Sequence, residues 1–377
     1  MTVAAMTSGG VGVQVRDAAY ADDQALRAIA ASCPMEGDIT LRVTREPDFF
    51  QLNRLEGRQW RVGVAEVDGG VVGCVMAAER RAYLHGVERR TLYAGDLKVH
   101  PRMRGAGVAD ALSQWVARAL RDMGGVNAPI LLTILAGNSA MERRTSGRGR
   151  MPNFVRFATI RAFSIPLLFP RRFTETGLRV SVATLCDIEE MVQLWERVAP
   201  TRQLAPVFTA DTLGGWIAGA PGLDISSYRL ARDGTGRLVG FVAWWDQTPF
   251  KQAHVLRYSP RLLAARAVLN GMARVTSGVK LPDAGAELKY CTAFHVCVPG
   301  DSPDVLRALV RSSYAELRAA RYAFATIGLD ERDPLCTALG GLLAQPTDVH
   351  AYVCTAGGDY AGPSLGDRPL HYEIALV

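Results

Sequence analysis

The chain's 377 residues exceed what a single hydrophobic core usually supports, so about two domains are expected. With 49% hydrophobic and 21% charged residues, the composition is that of a soluble globular protein. Its seven cysteines are odd in number, scattered and without a Cys-x-x-Cys pair, which argues against a disulfide framework or a zinc site.

No apolar run approaches membrane-spanning length and no basic-then-apolar leader is present, so a cytoplasmic protein without a membrane partner is expected. The net charge is +6, and only four of the 43 basic residues are lysine (Lys98, Lys251, Lys280, Lys289). Eight arginines and no acid fall within 143–172. That concentration suits a polyanionic ligand, with solvated surface as the plainer alternative.

In chain order, a strand is expected over 11–16 and a helix over 22–31, capped by Asp22 or Asp23. A loop follows, then a second helical segment through Asp48-Phe49-Phe50-Gln51. Strands over 61–67 and 71–79 flank Asp68-Gly69-Gly70, whose composition marks a hairpin turn. Residues 93–112 carry the most informative pattern. An apolar strand ends at Val99, and the turn His100-Pro101-Arg102-Met103-Arg104-Gly105-Ala106-Gly107 follows. It opens a helix whose apolar residues Val108, Ala111, Leu112, Trp115, Val116, Ala119 and Leu120 recur at helical spacing. Strand, glycine turn and helix N-terminus together present peptide N–H groups suited to a phosphate. The turn has neither the Lys-Ser/Thr ending of a P-loop nor Gly-x-Gly-x-x-Gly. Another strand is expected over 129–136, with Asn138-Ser139-Ala140 opening a helix or loop.

The run from Val99 to Ala109 resembles the acyl-CoA loop of the GNAT superfamily of N-acetyltransferases, Val-x-Pro-x-x-Arg-Gly-x-Gly-x-Gly/Ala. The family's Gln/Arg-x-x-Gly-x-Gly/Ala signature fits from Arg102 or from Arg104; its distance from the last strand valine selects Arg104, Gly107 and Ala109. The resemblance implies that Arg104 and the amides of Gly105, Ala106, Gly107, Val108, Ala109 and Asp110 hold the CoA pyrophosphate. It implies that the backbone of Leu97, Lys98 and Val99 binds the pantetheine arm and polarises the thioester carbonyl. Asn138 would contact pantetheine, or else cap a helix. Acetyl-CoA is the implied acyl donor, and no metal is required. Asp96 is the candidate base, although regular alternation would face it away from Leu97 and Val99 unless a bulge re-aims it. Two departures from the family stand out. Thr133 occupies a slot where some members carry a carboxylate base, and no tyrosine falls near Arg144 or Thr145 to protonate the leaving thiolate. Tyr93, water or Tyr258 would then serve.

After a connector at 173–177 the pattern restarts: a strand over 178–183, a helix capped by Asp187, a helix around 212–217, and a strand over 238–245. Gly73 in Val-Val-Gly-Cys-Val matches Gly240 in Leu-Val-Gly-Phe-Val, 167 positions on, and Tyr93 with Val99 matches Tyr290 with Val296, 197 on. The 30-residue difference marks an insertion near 258–285 with a helical part. The expected fold is α+β: two tandem GNAT-like domains, each a mixed, mostly antiparallel sheet flanked by helices. Residues 1–172 form the acyl-CoA-binding catalytic domain, and 173–377 a degenerate copy carrying the insert. At the 197 offset, Asp301 and Asp304 stand against Arg104 and Gly107, so the second loop should reject a pyrophosphate.

The implied function is transfer of an acetyl group from acetyl-CoA to the amine of a small molecule. The alternative is a non-catalytic acyl-CoA-binding or regulatory module. Acceptor contacts are expected from Glu36 and Asp38, and from Asp246 and Tyr258 of the second half. If Glu36, Asp38, Asp96 and Asp246 converge, the acceptor is a cationic amine. An acidic carrier protein and a homodimer stay open as partners. Nucleic acid is disfavoured, because 143–172 lacks interleaved aromatics and a recognisable binding motif.

Overall fold

A computed structural model describes residues 12–145, 152–173, 177–275 and 278–376. The first half runs β1 (Gln14–Asp17), α1 (Asp23–Ser32), β2 (Ile39–Thr44), α2 (Phe50–Leu55), β3 (Gln59–Val67), β4 (Gly70–Leu84), β5 (Val87–Val99), α3 (Val108–Gly124), β6 (Pro129–Leu135), α4 (Ser139–Thr145) and β7 (Val155–Pro166). The second runs β8 (Arg179–Val182), α5 (Ile188–Val198), α6 (Ala210–Gly219), β9 (Tyr228–Arg232), β10 (Leu238–Trp245), β11 (Gln252–Tyr258), α7 (Pro260–Val275), β12 (Tyr290–Cys297), α8 (Pro303–Ala319), β13 (Phe324–Asp330) and β14 (Gln345–Thr355).

Twelve strands form one sheet in the order β1-β3-β4-β5-β6-β14-β7-β13-β12-β10-β9-β8. Every pairing is antiparallel except β5 with β6 and β12 with β13. The fold is therefore α+β, a mixed and mostly antiparallel sheet flanked by helices. The helical spacing after Gly107 buries Leu112, Trp115 and Leu120 of α3 against Val75, Leu92 and Ile130 of the sheet. The opposite face takes Leu26 and Ile29 of α1 with Phe49. In the second half α8 buries Leu306, Leu309 and Val310 against Val242 and Ala293, and α5 buries Leu194 and Trp195 on the other face. The turn between β3 and β4 adopts positive φ at Asp68 (51°) and Gly69 (76°), as a tight hairpin between twisted strands requires.

The internal repeat is visible in the packing. A Cβ on Gly73 would stand 2.8 Å from the Lys98 carbonyl and 3.2 Å from Val108, and one on Gly240 would stand 2.5 Å from Val305 and 3.3 Å from the Cys297 carbonyl. Each glycine lets the following helix close on the strand at the same place.

Two exchanges join the halves. The C-terminal strand β14 inserts between β6 and β7, so residues 345–355 complete the sheet begun by the first half. The segment expected as a loop before α2 contains β2, which pairs with β11 in a separate two-stranded ribbon, Gln252 opposite Thr44. Helix α7 occupies the expected insertion. Among the described residues no helix is long and apolar enough to cross a membrane.

Candidate functional site

Strands β5 and β6 pair only at the middle of β5 and the start of β6, Leu92 opposite Ile130 and Tyr93 opposite Leu131, while β5 runs on to Val99 and β6 to Leu135. A bulge in β5, opposite Cys74–Met76, adds to this divergence, and Asp96 within it adopts φ 54°. The extra residue resets the side-chain alternation. Leu97 and Val99 pack toward α3, whereas Asp96 and Lys98 pair with each other. Asp96 therefore still faces away from Leu97 and Val99, and the bulge shows in the phase of the strand before it, where Ala94 packs on the same side as Leu97. Between the strands lies a cavity of about 250 Å³, lined by Tyr93 and residues 94–98 on one side, by residues 132–135, Asn138 and Met141 on the other, and closed by Leu376.

Beyond Val99, Pro101–Met103 forms a single 3-10 turn, followed by Gly105 at φ 86° and Gly107 at φ 78°. No atom lies within 4 Å of a Cβ placed on either glycine, and Arg104, Gly105 and Gly107 are exposed. The corner is bare backbone, and a side chain at either glycine would meet an unfavourable conformation. Gly107 is the N-cap of α3; the Asp110 amide donates to the Gly107 carbonyl at 3.1 Å, and the Val108 and Ala109 amides before it have no intrahelical acceptor. The acid in that first turn, Asp110, is paired with Arg144 at 2.5 Å, so its charge does not oppose an anion at the corner. Arg144, at the position where the family's tyrosine would fall, takes this structural duty instead. Asn138 lines the cavity and also accepts from the Met141 amide at 3.3 Å, so it sits where both of its expected duties would place it.

The two candidate catalytic residues both line the cavity. Tyr93 is buried beneath Arg80, whose guanidinium lies 4.3 Å from the ring centroid, and burial pushes its phenol up to about 12. Its hydroxyl and that of Tyr372 both approach Thr133; burial pushes the Tyr372 phenol to about 12 as well. Gly95 makes room for the Tyr93 ring, since a Cβ there would stand 2.7 Å from Cε1. For Asp96, burial alone would raise the carboxyl, but the charges of Arg45 and Lys98 outweigh it and hold the group well below the usual carboxylate range. Arg45 Nη2 sits 2.7 Å from Asp96 Oδ2. Lys251 faces the same cluster, and burial, reinforced by Arg45, lowers its ammonium to about 7.

The expected acceptor residues do not gather here. Glu36 pairs with Arg257, the Asp38 carbonyl accepts from the Ser259 amide, and both acids are exposed. Asp246 accepts from the Tyr322 hydroxyl at 2.9 Å and from the Thr248 amide at 2.9 Å. The Tyr258 hydroxyl donates to the Pro282 carbonyl at 2.7 Å. None of the four lines the cavity, and only Asp96 of the four expected acids does. Glu36, Asp246 and Tyr258 are each satisfied by a neighbour specific to its own ribbon or strand end. The premise for a cationic acceptor therefore fails. Residues that motif reasoning missed, Arg45, Lys251, Tyr372 and Leu376, come from three separate segments brought together by the sheet and the ribbon, and Thr133, singled out as a departure from the family, meets Tyr93 and Tyr372. In the arginine-rich segment, Arg156 donates to Thr159, Arg161 faces Glu331 at 3.9 Å and Arg171 donates to the Gly341 carbonyl; Arg148 and Arg150 lie outside the described residues. No cluster of potential metal ligands occurs among the described residues.

The second half contains a matching bulge and a matching divergence. β12 pairs with β13 at Tyr290–Phe324, Cys291–Ala325 and Thr292–Thr326 and then separates, and His295 in its bulge adopts φ 50°. Here the opening is filled. Leu370, His371 and Tyr372 pack against Val296, Gly328 and Leu329, leaving about 10 Å³, the room of at most one water. The His295 amide donates to both carboxylate oxygens of Glu373 (3.2 and 3.1 Å), and Glu373 pairs with His371 at 2.7 Å. The His295 ring stacks on Phe294, with centroids 3.7 Å apart, and Nδ1 lies 2.8 Å from the Tyr228 hydroxyl. The loop before α8 carries Asp301, and the first turn of α8 carries Asp304, paired with Arg307.

Residues 24–143 match the model of the acetyltransferase (GNAT) family. Solved structures extend the likeness over both halves. N-myristoyltransferase of Saccharomyces cerevisiae, with myristoyl-CoA bound, aligns with a TM-score of 0.63 at 11% identity, covering 94% of this chain and 84% of that one. A GCN5-related N-acetyltransferase from Sphaerobacter thermophilus aligns with a TM-score of 0.56 at 16% identity, covering 91% and 96%. The GCN5-related glucosamine N-acetyltransferase region of a fungal multi-domain GH3 β-N-acetylglucosaminidase gives a TM-score of 0.60 at 12% identity, covering 91% of this chain and 38% of that one. No curated protein sequence matches the chain.

Proposed function

We propose, from the match of residues 24–143 to the acetyltransferase (GNAT) family, that the chain is an acyl-CoA-dependent N-acyltransferase, moving an acetyl group from acetyl-CoA to the amine of a small molecule. The observation that carries this reading is the exposed, side-chain-free corner at Gly105–Gly107 next to a strand pair that opens into a cavity. The amides from Gly105 to Asp110, with Arg104, hold the pyrophosphate. The backbone of Leu97, Lys98 and Val99 receives the pantetheine arm, beside Asn138. The amine nitrogen attacks the thioester carbonyl carbon, the C–N bond forms and the C–S bond breaks, and strand amides steady the oxyanion. The amine reacts in its neutral form, its ammonium proton having gone to water. Tyr93, whose phenol stays protonated at neutral pH, is the candidate donor to the departing thiolate and takes back the proton that the nitrogen sheds as the amide forms. Asp96 is a weak base in this setting, because its carboxyl is held low by two cations; its duty is to orient Arg45 and Lys98.

The size of the cavity supports a short acyl group. About 250 Å³ falls below the roughly 300–1,000 Å³ of pockets that enclose a drug-sized ligand, and it must hold the end of the pantetheine arm as well. We divide the chain into a working unit, 1–172, and a degenerate unit, 173–377, with β14 returned from the second to complete the first. The scattered, unpaired cysteines support a cytoplasmic location.

Millimolar acetyl-CoA should raise the melting temperature, and a suitable amine should release free thiol from it. Gly107→Glu should abolish both. An unchanged melting temperature with acetyl-CoA overturns the proposal. Stabilisation with no transfer to any member of an amine panel instead selects the acyl-CoA-binding module.

A further inference from the structure

Arg45 follows β2 directly and Lys251 precedes β11, so the ribbon register that sets Gln252 opposite Thr44 places these two bases next in line at the ribbon's end. That end faces the bulge carrying Asp96 and Lys98. Arg45 is 4% exposed, stacks 4.8 Å over Phe49, and lines the cavity. Its Nη2 is used by Asp96, but its Nη1 is buried without a hydrogen-bond partner among the described residues. A buried guanidinium nitrogen left unpaired is costly and calls for a partner, a water or an ion, and Arg45 is an arginine of this kind that lines the cavity. The surrounding charges have the matching sign. Two cations, Arg45 and Lys98, are paired with one carboxylate, Asp96, which leaves the cluster positive, and Lys251 beside it adds to that charge when protonated. The other acid lining the cavity, Glu56, is taken by Arg80.

We infer that the acceptor is an anionic amine, whose carboxylate or phosphate docks on Arg45 Nη1 within the basic cluster at the end of the β2–β11 ribbon. This rests on the acyltransferase reading and adds its substrate class. The charge belongs to the acceptor rather than to CoA, because the pyrophosphate corner at Gly105–Gly107 lies beyond Val99, whereas Arg45 meets β5 at the bulge. A carboxylate there would receive charge-assisted hydrogen bonds from the guanidinium. A cationic amine without an acid would be repelled by the same cluster.

The test uses matched pairs differing only in the anion: phenylalanine against phenethylamine and lysine against cadaverine for the carboxylate, phosphoethanolamine against ethanolamine for the phosphate. Binding is measured by calorimetry on the full chain saturated with CoA, and turnover by thiol release from acetyl-CoA. The anionic member of at least one pair should bind about tenfold tighter or more, consistent with one charge-assisted contact. The pair that shows the preference identifies carboxylate or phosphate. Arg45→Gln should erase that preference while acetyl-CoA still stabilises the protein. Equal or stronger binding of the uncharged or cationic members, or no binding of either while CoA binds normally, overturns the inference and leaves the acyltransferase proposal standing. Failure to bind CoA at all overturns that proposal instead. The wild-type comparison keeps its force if Arg45→Gln does not fold.

Discussion

In the first half a bulge with Asp96 at φ 54° opens β5 from β6 onto about 250 Å³; in the second, a bulge with His295 at φ 50° opens β12 from β13 onto about 10 Å³. The backbones of the two clefts are alike, down to the glycine that admits the helix behind each strand. What differs is what the chain places in them. Residues 370–373 lie in the second cleft and satisfy its bulge amide with Glu373, and Asp301 and Asp304 stand, by the sequence offset, where the first loop has Arg104 and Gly107. A GNAT-type cleft is thus a property of strand geometry, while its use for a cofactor depends on keeping it empty and its loop uncharged. The largest effect should come from making the first loop resemble the second. Gly107→Glu strains a residue at φ 78° and brings a carboxylate to the phosphate corner, so acetyl-CoA affinity should fall about 100-fold or more. The converse, Asp304→Gly, should leave calorimetric stoichiometry at one acetyl-CoA per chain, because the second cleft remains filled. A stoichiometry of two would break the comparison.

The bulge residues supply the next contrast. Asp96 is ionised and paired, whereas His295 is buried among aromatic rings. Removing one partner of a buried ion pair leaves the others uncompensated, so Asp96→Asn should cost about 3 kcal/mol of stability, read by chemical denaturation. Because the Asp96 carboxyl is already held well below the ordinary range, it cannot set an acid limb near neutrality. The pH profile of kcat/KM should fall in height in Asp96→Asn but keep its acid-side midpoint. A midpoint that disappears would return Asp96 to the role of base.

Much of this contrast was legible in the residues. Glycine spacing, the strand before it and the apolar helix after it placed the corner at Gly105–Gly107, and the repeat placed Gly240 opposite Gly73. Tyr290, expected opposite Tyr93, falls two residues out of register, because the equivalent bulge residues Asp96 and His295 lie 199 rather than 197 positions apart. Ile39-Thr40-Leu41-Arg42-Val43-Thr44 also alternates as a strand should, yet its partner β11 is some 200 positions away, so a local reading left it in a loop. The acceptor end was illegible for the same reason. Arg45, Asp96, Lys251 and Tyr372 meet through a ribbon between halves and through the return of the chain after β14, neither of which leaves a local pattern. Asp246 misled because a carboxylate beside two tryptophans resembles a pocket wall, whereas Trp244 and Trp245 are core and Asp246 serves Tyr322.

Loosening the second cleft should separate its two barriers. In Glu373→Gln the His371 partner loses its carboxylate and the bond to the His295 amide weakens. A loss of about 1–3 kcal/mol is expected for a buried charged acceptor, checked by urea denaturation. Acetyl-CoA stoichiometry should stay at one, since Asp301 and Asp304 remain. If a second site appeared, occupation by the tail would be the sole barrier and the loop acids incidental.

The smallest expected effect is a slope. Burial lowers the His295 imidazole to about 3, so the native state refuses a proton that the unfolded chain accepts at an ordinary histidine pKa near 6.5. Below that pH the unfolded state binds one proton more, and stability falls with decreasing pH by about 1.4 kcal/mol per unit. The loss continues until the folded-state value is approached. Glu373 acts in the same direction but lower: the His371 charge outweighs the rise that burial would cause, so its contribution is present above the ordinary carboxylate range and is lost as pH drops through it. Between pH 6.5 and 5 the histidine effect therefore stands apart. His295→Phe keeps an aromatic ring against Phe208, Trp195 and Trp216 and gives up the contact with the Tyr228 hydroxyl. Denaturation at pH 7, 6 and 5 should show the wild type losing about 2 kcal/mol more than the variant by pH 5. Parallel curves would mean that His295 takes up its proton in the folded protein, which requires water in the second cleft. The two clefts would then differ in degree of opening rather than in being open and closed.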